Sequence, residues 1–170
     1  MHVNARGVNV AGGCVMVALR LVLGAKANSG NMPMTTQAHD ALIHLMIVAA
    51  TSDSAITQKE LVRITALIDR LPVFEGFDRE RLEEVANQCA DMLNEVGLDM
   101  VVDAAVEALP VKLQDTAYAV AVEVTAVDLH LEQEELRFLE LLRDKLDLER
   151  LTTAAIEVAA RARHRRMPVQ

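Results

Sequence analysis

Asp53-Ser54-Ala55-Ile56-Thr57-Gln58-Lys59-Glu60-Leu61 and Asp128-Leu129-His130-Leu131-Glu132-Gln133-Glu134-Glu135-Leu136 carry one pattern. Each reads Asp, two residues, Ile or Leu, one residue, Gln, one residue, Glu, Leu. The two stretches lie 75 residues apart, and at that offset Asp40 falls on Asp115, Asp69 on Asp144, Ile64 on Leu139 and Leu67 on Leu142. An internal repeat of this kind predicts a fold built from two related halves. Here each half places an acidic loop between two helices.

The surrounding sequence predicts an all-α protein. Five of the seven glycines precede residue 31. Gly76, Gly97, Pro33, Pro72, Pro110 and Pro168 fall between apolar-periodic segments, where breakers belong in a helical chain. Aromatic residues are scarce (Phe74, Phe77, Tyr118, Phe138), so the core is aliphatic. The periodicity predicts about seven helices, over residues 36–50, 57–71, 78–94, 98–109, 111–127, 132–146 and 147–163. Thr57 and Glu60 form a capping box for the second, and Asp78 and Asp147 are N-cap candidates for the third and seventh. The fifth has almost no polar face (Ala117, Tyr118, Ala119, Val120, Ala121, Val122, Val124) and is expected to be the most buried. Helices one and two correspond to five and six. The expected architecture is a single bundle over residues 34–170 with internal pseudo-two-fold symmetry.

Residues 1–33 read differently. Residues 8–23 are apolar but interrupted by Asn9, Gly12, Gly13 and Arg20, too short and too broken to span a bilayer. Arg6 and the Ala25-Lys26-Ala27 triplet give some signal-peptide character, which Arg20 opposes. Met32 and Met34 stand as alternative starts. The ranking is a poorly ordered extension, then a peripheral membrane contact, then a cleaved signal. No integral membrane segment is expected.

The formal charge of −8 is concentrated: residues 75–107 hold ten acids against Arg79 and Arg81, and the remainder is neutral. An acidic body argues against nucleic acid as a partner. It reads as a solvated face or as a docking surface for a basic protein partner. The cations at Arg161, Arg163, Arg165 and Arg166 suit the end of a last helix. Cys14 and Cys89 have neither metal nor disulfide spacing, and Cys89 reads as a buried small hydrophobe.

The acidic loops admit two readings. Capping accounts for Glu60 and Glu135 but less well for an Asp seven residues earlier in both copies. Carboxylates from a loop and the following first turn also suit a hard cation, Ca²⁺, Mg²⁺ or Mn²⁺. Its ligands would come from Asp53, Glu60, Asp128 and Glu135, with Asp40 and Asp115 as further candidates. The spacing is not that of an EF-hand. Asp40 and His44, four apart on one helix, predict a helix-surface ion pair or hydrogen bond ahead of acid–base chemistry. No phosphate loop, activated nucleophile or zinc signature appears in the sequence.

Ala-Ala-x-x-Asp-x-x-Ile-x-x-x-Glu-Leu, at residues 49–61, resembles the signature of the TerB-like family, and residues 125–136 have the same outline. That family includes bacterial tellurite-resistance proteins and the N-terminal domain of membrane-anchored DnaJ-like co-chaperones. The resemblance spans residues 36–163. It implies an all-helical fold with a pseudo-two-fold, a non-enzymatic stress-response role and metal binding by Asp53, Glu60, Asp128 and Glu135. It also implies a protein partner in a membrane-associated stress complex, at a cytoplasmic site or at the periphery of the inner membrane. The alternative is a metal-dependent hydrolase using the same carboxylates. The chain departs from the family where a Gly usually follows the loop Asp; Ser54 and Leu129 stand there, so the second loop is expected to be built differently.

Overall fold

The computed structural model describes residues 33–50, 58–126, 133–165 and 167, with backbone alone for Lys59, Glu134 and Glu135. Among the described residues there are seven α-helices and no strand: α1 Met34–Ala50, α2 Gln58–Arg70, α3 Leu82–Val96, α4 Leu98–Ala108, α5 Gln114–Thr125, α6 Gln133–Leu146 and α7 Arg150–Arg163. Three 3₁₀ turns, Pro72–Phe74, Arg79–Arg81 and Val111–Leu113, join them.

The bundle is organised around α1. From Ala41 to Ala50 every residue is buried except His44, which is half-buried. Leu42, Ile43, Leu45, Met46 and Ile47 have no exposure at all. A helix apolar on all sides must be covered on all sides. The covering comes from five neighbours: α4 and α5 most extensively, then α3, α6 and α2. They contribute Ile64 and Ile68 from α2, Val85, Cys89 and Met92 from α3, Val101, Val102 and Ala105 from α4, and Leu142 and Leu146 from α6. The expectation that α5 would be the most buried is therefore corrected. It is apolar too, but it is shorter, exposes Asp115 and leaves Ala119 and Glu123 half-buried. Its neighbours are α1, α7, α6 and α2.

The breakers act where the sequence places them. Leu71 still closes a helical turn, its amide donating to the Leu67 carbonyl at 3.0 Å. Pro72, with no amide to donate, opens the next turn. Asp78 accepts the Glu80 amide at 3.0 Å, capping the 3₁₀ turn that runs into α3. Asp147 is a different case. It does not cap α7; it adopts φ 49°, the left-handed conformation that Asp tolerates better than most residues, and ends α6. α7 then begins three residues on, with Glu149 at its N-cap.

Gly97 alone separates α3 from α4. Its amide donates to the Leu93 carbonyl at 3.1 Å and its carbonyl accepts the Val101 amide at 3.2 Å, so it closes one helix and opens the next. This requires φ 82° and ψ 171°, a region that essentially only Gly occupies. A Cβ built there meets nothing within 4 Å, so the constraint is conformational. Gly97→Ala should cost about 1–3 kcal/mol in urea unfolding. Gly97→Asn should give no rescue, because Asn favours the left-handed helical region near ψ +47° and not ψ 171°.

Candidate functional site

One group of covered polar side chains gathers where α1 meets α3 and the turns before it. His39 and Asp40 lie one turn from the start of α1, and His44 follows at i+4 from Asp40, so Asp40 and His44 share one face. His39 Nε2–H donates to the Val73 carbonyl at 2.9 Å. Its ring centroid lies 5.8 Å from that of Phe74 and 5.7 Å from that of Phe77, the latter edge-on. The three rings fasten the Pro72 turn to α1.

Asp40 and His44 do not pair with each other as the sequence suggested. Arg81 Nη2 donates to Asp40 Oδ2 at 3.0 Å, an ion pair between largely covered side chains. Asp40 Oδ1 is buried without a hydrogen-bond partner, and so is His44 Nε2. Burial raises the Asp40 pKa above its ordinary value, opposed by Arg81. Burial lowers that of His44 to about 4, opposed by its hydrogen bond to the Val85 carbonyl. His44 is thus neutral at pH 7 and, with its other nitrogen donating, presents Nε2 as an acceptor. Nearby, the Cys89 thiol points to the His44 carbonyl at 3.8 Å, and burial pushes its pKa up to about 12. Such a thiol is not a nucleophile at neutral pH. The cluster is a structural lock with a proton-sensitive member.

A second polar set joins α5 to α7. Tyr118, 1% exposed, donates its hydroxyl to Glu157 at 2.8 Å, and both burial and that carboxylate raise its pKa. Glu123 accepts from Arg163 and, at 2.8 Å, from His164 Nε2–H. The basic end of α7 is therefore tied to a carboxylate as well as placed at the helix C-terminus.

The sequence-predicted metal ligands do not all fall within view. Asp53 and Asp128 lie outside the described residues, and the side chain of Glu135 does too. Glu60 is half-buried in the first turn of α2. Asp40 belongs to the Arg81 lock. Asp115 accepts the Thr116 amide at 2.7 Å and lines an open groove of about 480 Å³ between α5 and α7. Among the described residues no three His, Cys, Asp or Glu side chains converge as a metal site would require.

The acidic stretch stands out more clearly in three dimensions than in sequence. All ten acids between residues 75 and 107 are exposed. Arg79 is bound to Asp69 and Arg81 to Asp40, so both cations of the stretch serve acids outside it. Asp99, Asp103 and Glu107 form one stripe along α4 at i, i+4 and i+8, with Lys145 of α6 against Asp103. These Arg partners were not readable from spacing; their only signal was that they are the sole cations in an acidic run.

No protein-family model matches the chain, and comparisons with curated proteins and with solved structures find no match. Among the described residues no helix is long and apolar enough to cross a membrane.

His44 sets a pH dependence whose sign follows from its shift. Its pKa is lowered on folding, so its stabilising contribution is complete above the unfolded value of 6.5. It is lost as pH falls from there to about 4, by about 2–3 kcal/mol. Asp40 acts oppositely, its contribution present below 3.8 and lost as pH rises through its raised value. His44→Gln should flatten the decline between pH 6.5 and 4 in denaturant unfolding, whereas Asp40→Asn should leave it in place.

Proposed function

We propose that this chain is a non-enzymatic, TerB-like stress-response protein of the tellurite-resistance type. It acts as an adaptor whose α3–α4 surface docks a basic protein partner, with divalent-cation binding by the acidic loops as a second property. The adaptor role rests on one observation above others, the exposure of all ten acids of residues 75–107 with both of that stretch's cations bound elsewhere. Like charges at i, i+4 destabilise a helix by about 0.2–0.5 kcal/mol per pair. Glu107 also sits in the last turn of α4, where the helix dipole disfavours an acid. A like-charged stripe that ends on Glu107, relieved at Asp103 by Lys145, is understandable if it is used for recognition.

The pseudo-two-fold belongs to the same reading. The neighbours of α1 include α2, α3 and α6, and those of α5 include α6, α7 and α2. Under the 75-residue offset α1 falls on α5 and α2 on α6, while α3 overlaps only the C-terminal half of α7, and α1 packs on α5. α4 has no counterpart and covers the open side of α1. This agreement supports the TerB-like reading, which otherwise stands on the motif at residues 49–61 and 125–136. The cation is assigned to Asp53, Glu60, Asp128 and Glu135 on that resemblance.

Three measurements test the proposal. Glu107→Lys should raise stability by about 0.5–1 kcal/mol, as removal of repulsion and a favourable dipole term predict. Reversal of Glu80, Glu83 and Glu84 to Lys should abolish cross-linking to a basic partner whose wild-type recovery falls with salt. Recovery that neither salt nor the triple reversal alters would refute the adaptor surface. For the cation, Ca²⁺, Mg²⁺ or Mn²⁺ should raise the melting temperature by mass action. Asp53→Asn and Asp128→Asn should remove that gain, and flat melts would leave these acids as caps.

A further inference from the structure

α7 has a buried side and an apolar outer side. Thr153 and Ala160 are buried, with Ile156 and Glu157 half-buried between them. Directly opposite lie Leu151, Ala155, Val158 and Ala162 at i, i+4, i+7 and i+11, flanked by Ala154 and Ala159, and all six are exposed. Leu151 is 79% and Val158 57% exposed. An ordinary surface helix carries charge on the side away from the core. Here the charge is displaced to the ends. Asp115, Asp147 and Glu149 surround the N-terminal end with Arg150 among them, and Arg161, Arg163 and Arg165 the C-terminal end.

We propose that this outer face of α7 is a homodimer interface, in which two copies pair their α7 helices antiparallel about a two-fold axis. That arrangement places the acidic end of each helix beside the basic end of the other, and opposes the two helix dipoles. With the axis between residues 156 and 157, Leu151 faces Ala162 of the second copy and Ala155 faces Val158. Each large side chain then meets a small one, so the helices approach closely without a void. A parallel pair would set Leu151 on Leu151 and like charge on like. The acidic end and the narrow alanine-rich stripe also suit an anionic lipid surface poorly.

The groove between α5 and α7, bordered by Asp115, Thr116, Ala119, Leu151 and Ala155, widens the surface along one flank. α7 is about 21 Å long, and its outer face with that flank offers each copy roughly 400–500 Å². Two copies come near the roughly 1,000 Å² at which specific association begins, which places the pair among weak, reversible dimers.

The test is sedimentation equilibrium of the full chain across micromolar concentrations. The wild type should pass from monomer to dimer. Ala155→Glu and Val158→Lys, both at exposed positions, should each weaken association at least about tenfold. Circular dichroism and melting of the dilute monomer should be unchanged in both, which separates loss of the interface from loss of the fold. The register makes a stricter demand. In the antiparallel pair residue 155 faces residue 158, so the double variant A155E/V158K should restore association through two Glu–Lys contacts. A wild type that stays monomeric at the highest concentration would overturn the proposal. So would a dimer that A155E leaves intact, or a double variant no stronger than the singles.

Discussion

Everything in this bundle answers to the need to cover α1. Ten consecutive residues, from Ala41 to Ala50, turn every side of a helix into apolar surface, interrupted only at His44. No pair of helices can enclose such a cylinder, so the chain returns to it with α2, α3, α4, α5 and α6 in turn. α4 and α5 supply most of the cover, and α2, α3 and α6 the rest. The breakers at Pro72, Gly97 and Pro110 matter because they let short helices turn back onto one axis.

The one polar interruption in that cylinder has consequences for the neighbouring elements. His44 carries a donor and an acceptor into the α1–α3 contact, and Asp40 brings a carboxylate one turn earlier. The Val85 carbonyl and Arg81 satisfy one atom of each. Arg81 is thereby withdrawn from the acidic run in which it occurs, as Arg79 is by Asp69. At Arg81 the interior helps to set the sign of the exterior, because its guanidinium satisfies the largely covered Asp40 carboxylate, while Lys145 still stands against Asp103 on α4. The acidic surface that remains carries a field that reaches about a Debye length, 8 Å at physiological salt.

Helix number and type among the described residues were legible in the sequence, because periodicity and breakers are local signals. Cys89 as a buried hydrophobe and Asp78 as a cap were legible for the same reason. The ranking of α1 and α5 was not, since hydropathy reports whether a helix avoids water and not how many neighbours it will have. Asp147 misled because an Asp before an apolar run has two uses, as a cap or as a left-handed terminator, and φ decides between them. The Asp40–Arg81 and Tyr118–Glu157 contacts join residues about 40 apart, and nothing local encodes them. The loop carboxylates Asp53 and Asp128 were the clearest candidate ligands in sequence and lie outside the described structure.

Cys89 gives the chain a built-in clock. Its thiol has no solvent exposure and a pKa near 12, so in the closed protein it is both unreachable and un-ionised. An alkylating reagent can reach it only when α3 parts from α1. The modification rate at Cys89 then measures how often that contact opens, on a scale set by local opening and not by global unfolding. A partner seated on α3 and α4 would slow that clock without touching the thiol.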